Sequence, residues 1–203
     1  RGMGYGLKRS ESLTEGVQRI AAEQVEAALR ELSNDDLPRY KAVHQVRKRC
    51  KKLRGLLRLV RFGIGDTYSQ ENAWFRDAAR ELSTVRDAKT RIDTYDALMN
   101  YFRDQVRREA FGSIRRRLTL QRKELLTHSV DKDQQLEKAG DRLSQSLERL
   151  QQWQVDGEED DIVRRSLRQT YQRGRNIMRD AIEQSEAETL HEWRKQVKYH
   201  WYH

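Results

Sequence analysis

Apolar residues recur every three or four positions along almost the whole chain, the spacing of amphipathic helices that each bury one stripe. Ser10 or Ser12 caps the first helix, with Glu15 placed to complete a capping box with Ser12. Its inward stripe is Val17, Ile20, Ala21, Val25, Ala28 and Leu32. Residues 33–38 break the pattern, and Pro38 suits the first turn of a second helix running to Phe62. That helix buries Val43, Val46, Cys50, Leu53, Leu57 and Val60. Gly63 and Gly65 end it, with glycine available for a left-handed cap. Asp66 or Ser69 starts a third helix over 71–82, and Ser83 or Thr84 separates it from a fourth that runs from Val85 to about Ala110. The fourth carries Ile92, Tyr95, Leu98, Met99, Phe102 and Val106 as its apolar set.

The second half reads in the same way. A basic amphipathic segment covers 111–126, with Arg115, Arg116 and Arg117 pointing in different directions around it. Residues 127–135 are expected as a connection, and periodicity resumes over 136–153. The acidic turn 156–161 suits the positive end of the next helix dipole and lacks the spacing of an EF-hand loop. Helices follow over 162–182 and 188–203. Gly174 sits inside the first of these; interior glycine costs about 1 kcal/mol against alanine, so close backbone approach is the expected reason for it. The class is all-α, in antiparallel helical bundles.

The polar face of the second helix changes the picture. His44, Arg47, Lys48, Lys51, Arg54, Arg58 and Arg61 fall within roughly 140° of one another at helical periodicity. Like charges three and four residues apart repel, so an extended, repeating anion would relieve the arrangement. A solvated basic face is the alternative, and recurrence argues against it. His44-Gln-Val-Arg47-Lys48-Arg-Cys-Lys51 is matched by His191-Glu-Trp-Arg194-Lys195-Gln-Val-Lys198, and an apolar residue, Val43 or Leu190, precedes each histidine. Such a repeat implies two similar half-units, here 1–110 and 111–203 of a single domain spanning 1–203.

Composition then limits the partners. Charged residues make up 36% of the 203, and the formal charge of +9 points to nucleic acid, polyphosphate, phosphorylated small molecules or an anionic surface. The single cysteine, Cys50, lies on an apolar stripe and reads as a packed thiol in a reducing compartment. No apolar run approaches the roughly 20 residues of a membrane span, and no secretory signal pattern is present. The chain starts at Arg1, which suggests a leading segment that was cleaved, trimmed or left out. Its last helix is still amphipathic at His203, without counterparts of the two helices that follow the equivalent point of the first half. A truncated chain, or an end completed by something else, is expected.

These residues resemble the CHAD domain, a family named for its α-helices and histidine. The resemblance rests on the two histidine-led segments, on Tyr68-x-x-Glu71-Asn72, on Arg80-Glu-Leu-Ser-x-x-Arg86-Asp87-Ala88 and on Tyr171-x-Arg173-Gly174-Arg175. It implies two pseudo-symmetric four-helix bundles, the second incomplete at its C-terminus, and non-enzymatic binding of inorganic polyphosphate in a basic channel between them. Carried over by motif, the contacts are His44, Arg47, Lys48, Lys51, Arg54 and Arg58 from the first half. The second half supplies Arg173, Arg175, His191, Arg194, Lys195 and Lys198, and Arg86 joins them. Trp201 stands where Arg54 does in the first half, so the second face is less basic.

The chemistry agrees with that implication. Polyphosphate carries about one negative charge per phosphate and has no bases, so it needs rows of Lys and Arg, with arginine able to grip oxygens in pairs. His44 and His191 would be cationic more often beside phosphate. His128, His200 and His203 make no recognised zinc spacing, and no metal or other cofactor is expected. Other phosphate or sulfate anions would meet the same donors. A nucleic-acid-binding helical protein is the alternative; it would favour aromatics among the cations, absent from the first stripe and present near the second as Trp193, Tyr199, Trp201 and Tyr202. A phosphohydrolase is a third reading, without a Walker-type loop and with Asp87 alone among arginines. The expected location is cytoplasmic, with polyphosphate granules as a site of association.

Overall fold

The computed structural model describes residues 5–127 and 129–202, and side chains throughout these apart from 83–89 and 125–133. Helix α1, Leu13–Leu32, starts as expected: the Ser12 hydroxyl accepts from the Glu15 amide at 3.2 Å, and the Glu15 carboxylate accepts from the Ser12 amide at 2.8 Å. Glu159 adds a link from far along the chain, accepting from the Leu13 amide at 2.7 Å. The acidic segment thus serves two helix starts, bonding the first amide of α1 and placing Glu159, Asp160 and Asp161 in the first turn of α7, Glu159–Gln184, where negative charge is favoured.

Pro38 precedes α2, Arg39–Leu59, as its N-cap. All six predicted stripe residues of α2 are fully buried. Cys50 is among them, and burial pushes its thiol up to about 12, so it is neutral packing material at ordinary pH. A turn follows in which Gly65 adopts φ 56°, a conformation open to glycine at little cost. Helix α3, Thr67–Glu81, then runs back along α2.

Helices α4, Ser83–Tyr101, and α5, Gly112–Thr127, pack on each other. The expected fourth helix to Ala110 is therefore too long. The chain turns at Phe102, a 3-10 turn covers Arg108–Phe111, and the Tyr95 hydroxyl donates to the Phe111 carbonyl at 2.9 Å, drawing the segment back onto α4. Leu98, expected inside, is half exposed because α5 covers only one side of α4. Helix α6, Ser129–Leu150, also begins earlier than expected. The predicted connection 127–135 is polar but contains no glycine or proline, so its residues from Ser129 onward are free to join α6.

The main core joins α1, α2, α3 and α6, with Phe75 and Leu143 buried between them and Trp153 and Ile162 closing one end. Helices α7, Glu159–Gln184, and α8, Ala187–Trp201, form a hairpin, and α7 touches α2. Every regular element among the described residues is helical. None of the described helices is long and apolar enough to cross a membrane.

Candidate anion-binding cleft

Two crossings position the basic side chains. The first is the antiparallel pair α2 and α3. The Arg47 guanidinium donates to the Ala79 carbonyl near the end of α3, and Arg54 Nε donates to Asn72 Oδ1 at 2.9 Å nearer its start. The basic ridge of α2 is therefore held along α3 by polar contacts.

The second crossing sets α8 over α2. A Cβ built on Gly55 would lie 2.7 Å from the Tyr202 Cβ, so only glycine allows this approach. The Tyr5 hydroxyl bridges the joint, 2.8 Å from the Lys52 carbonyl and 3.0 Å from that of Tyr202. Gly55 and Tyr202 each stand eleven residues after the histidine of their repeat. The repeated helices thus meet at equivalent positions, and their histidines extend away from the meeting point, each by about 16 Å along its own helix at 1.5 Å per residue.

On one side of the crossing lies a cleft of about 620 Å³, walled by α2, α3, α7 and α8. Its cations are Arg58, Arg61, Arg173 and Lys195; its aromatic groups are Tyr68 and Tyr199; Asn72, Gln169, Gln172 and Asn176 add amides. Arg58 is only 8% exposed. It donates to the Arg54 carbonyl at 2.8 Å and stacks 3.8 Å from the Tyr199 ring, and no carboxylate among the described residues pairs with it. Burial, and then Arg54, pull its pKa below the ordinary arginine value, opposed by Tyr199 and Tyr68. Burial acts likewise on Arg61, with Arg173 adding to it. Arg61 donates to the Ser166 carbonyl at 3.3 Å, and its Nε is buried without a partner. Buried cations without counter-charge are costly, and an incoming anion would offset that cost.

One carboxylate stands in this wall. Glu192 holds Lys195 through contacts of 2.6 and 2.9 Å. That bond, helped by His191 and Arg173, keeps the Glu192 carboxyl below the usual carboxylate range.

The residues expected from sequence divide accordingly. Arg58, Arg173 and Lys195 line the cleft, and Arg54 reaches its rim through Asn72. His44 lies apart, in a groove of about 330 Å³ beside Lys41, Thr90 and Asp93 at the start of α2. Lys48 is exposed and Lys51 half-buried on the same ridge. His191, Arg194 and Lys198 are exposed on α8, outside the cleft lining. Arg175 faces the other side of α7, 5.9 Å from the Tyr171 ring. Arg86 and Asp87 fall outside the described side chains, and His128 and His203 outside the described residues. Arg61, Tyr68, Asn72, Glu192 and Tyr199 also line the cleft. Arg61 belongs to the sequence stripe, and Tyr68 and Asn72 to the Tyr68-x-x-Glu71-Asn72 motif, but Glu192 and Tyr199 carry no periodic signal. Glu71 of that motif turns instead to Arg149, at 2.6 Å.

Among the described residues, no three His, Cys, Asp or Glu side chains gather as a metal set. The CHAD domain family profile matches residues 14–203, nearly the whole chain. The chain belongs to the CHAD family. No curated protein and no solved structure matches it. Both histidine-led segments and the whole cleft of this CHAD domain lie within the matched span.

Proposed function

We propose that this CHAD domain binds inorganic polyphosphate in the cleft without turning it over. The observation that carries the reading is Arg58, a buried guanidinium without a carboxylate partner among the described residues, in a wall shared with three further cations. Phosphate oxygens accept charge-assisted bonds from such groups, and amides of the same wall can donate to oxygens the cations leave unmet. Other phosphate or sulfate anions compete for the same donors. Nucleic acid is the weaker reading, because the Tyr199 face that would stack a base is covered by Arg58 at 3.8 Å. With Cys50 buried and unpaired, we place this binding in the cytoplasm, with association to polyphosphate granules as part of the proposal.

The test reverses exposed or partly exposed charges, so that folding is spared. The double variant Arg173→Glu, Lys195→Glu should weaken long-chain polyphosphate by about 100-fold or more in a fluorescence titration, from the loss of two charge-assisted bonds. Arg30→Glu, on the surface of α1, should change it little. Equal losses in both would point to diffuse attraction and overturn the cleft. Displacement of polyphosphate by short DNA or RNA at equal phosphate concentration would favour the nucleic-acid reading, and Mg²⁺-dependent phosphate release from pure protein would favour an enzyme.

A further inference from the structure

The three successive arginines of α5 take no part in the cleft. Residues 102–127 hold eight lysines and arginines against three acids, which is more than half of the net charge of +9. Asp96 on α4 holds Arg115 at 2.8 Å. Arg107, Arg116 and Arg117 are exposed and pair with no carboxylate among the described residues. Tyr101 ends α4 where the chain turns toward α5. Its ring is 80% exposed and meets Phe102 in an edge contact, with centroids 4.8 Å apart. Helix α5 packs chiefly on α4, and α4 meets α2 beside Lys41 and His44, so the pair forms an arm on the start of α2. Arg58 of the cleft lies 14 residues beyond His44, about 21 Å along α2.

We propose that this arm is a second anion-binding surface, built for single-stranded nucleic acid. The inference goes beyond the polyphosphate reading and does not rest on it. Three features select the occupant. The unpaired arginines suit a phosphodiester backbone, whose counterions they would release. Their arrangement suits a flexible strand. Successive helical residues are about 100° apart, so with Arg115 turned to α4, Arg116 and Arg117 carry the charge on around α5. A flat bilayer or a stiff duplex meets one side of such a helix, whereas a single strand can wind along it. The third feature is Tyr101. In the cleft, Arg58 covers the Tyr199 ring at 3.8 Å. On the arm an open tyrosine stands among cations, the combination on which bases stack without sequence preference. Polyphosphate has no base and gains nothing from that ring.

Fluorescence anisotropy with a labelled oligothymidine of about 20 nucleotides, longer than one such site, tests this on the full chain. The triple variant Arg107→Glu, Arg116→Glu, Arg117→Glu should weaken binding by about 100-fold or more, with helix content unchanged in circular dichroism. Tyr101→Ala should weaken it by about tenfold, the scale of one stacked base, and Tyr101→Phe should restore it. Tyr101→Ala should leave polyphosphate binding unchanged. The cleft variant Arg173→Glu, Lys195→Glu should keep its oligothymidine affinity within about twofold, which separates this surface from the cleft. Absence of oligothymidine binding, indifference to Tyr101→Ala, or loss of binding in the cleft variant would each overturn the proposal. So would co-sedimentation with phosphatidylserine vesicles through the same arginines in place of the oligonucleotide.

Discussion

At the scale of single residues, the cleft balances four cations against one acid. Glu192 occupies Lys195, so an anion entering the cleft must compete with a carboxylate already in place. Glu192→Gln removes that competitor and its repulsion. It should tighten polyphosphate binding by about fivefold, the scale of one exposed ion pair. The pH dependence has a definite sign. Lys195 holds the Glu192 carboxyl below its ordinary range, so the pair's stabilisation is present above the unfolded carboxylate value. It is lost only as pH falls through the lowered one. The ratio of variant to wild-type affinity should therefore stay constant between about pH 8 and 5, both above the ordinary glutamate value. A ratio that collapses within that window would exclude Glu192 as the competitor. Sequence periodicity did not single out this residue, because a carboxylate next to a histidine in a helix resembles any surface acid until the fold turns it toward Lys195.

At the scale of elements, two glycines with the same helical setting have opposite roles. An added Cβ at Gly55 would sit 2.7 Å from the Tyr202 Cβ, and the nearest atom to one at Gly174 is the Gln196 Cβ at 3.7 Å, an ordinary contact. The close approach expected at Gly174 belongs to Gly55 instead, where α2 and α8 cross. Gly55→Ala should lose about 1–3 kcal/mol through overpacking, despite better helix propensity, while Gly174→Ala should gain up to about 1 kcal/mol. Urea unfolding of both variants measures the difference. Gly55→Ala should also weaken polyphosphate binding, since the crossing sets the stack of Arg58 on Tyr199. Equal stability of the two alanine variants would mean that α8 yields freely at the joint. The extent of α4 was illegible for a related reason: its apolar spacing continues past Tyr101, and only the Tyr95 bond to Phe111 and packing against α5 show where the chain turns.

At the scale of the whole molecule, the formal charge of +9 attracts any polyanion, so salt dependence must separate general attraction from a defined site. Binding confined to the four cleft cations should give a slope of about −3 for log affinity against log salt, by analogy with nucleic acids. Engagement of both ridges in full would roughly double or triple that slope. A titration at several salt concentrations decides how far the polymer runs beyond the cleft, toward Lys48 and His44 along α2 or toward Arg194 and His191 along α8. A slope near zero would remove electrostatics as the basis of binding.

The helical class, the capping box at Ser12, the buried stripes of α1 and α2 and the repeated histidine segments were all decided by local pattern. Each follows from spacing along one helix, or from a cap of a few residues, and needs no knowledge of neighbours. The cleft was not decided locally. Which members of a basic ridge face one space depends on where α8 crosses α2. That crossing depends on a contact between Gly55 and Tyr202, 147 residues apart in sequence. Periodicity assigns a side chain to a face of its own helix, but only packing between helices determines what that face meets.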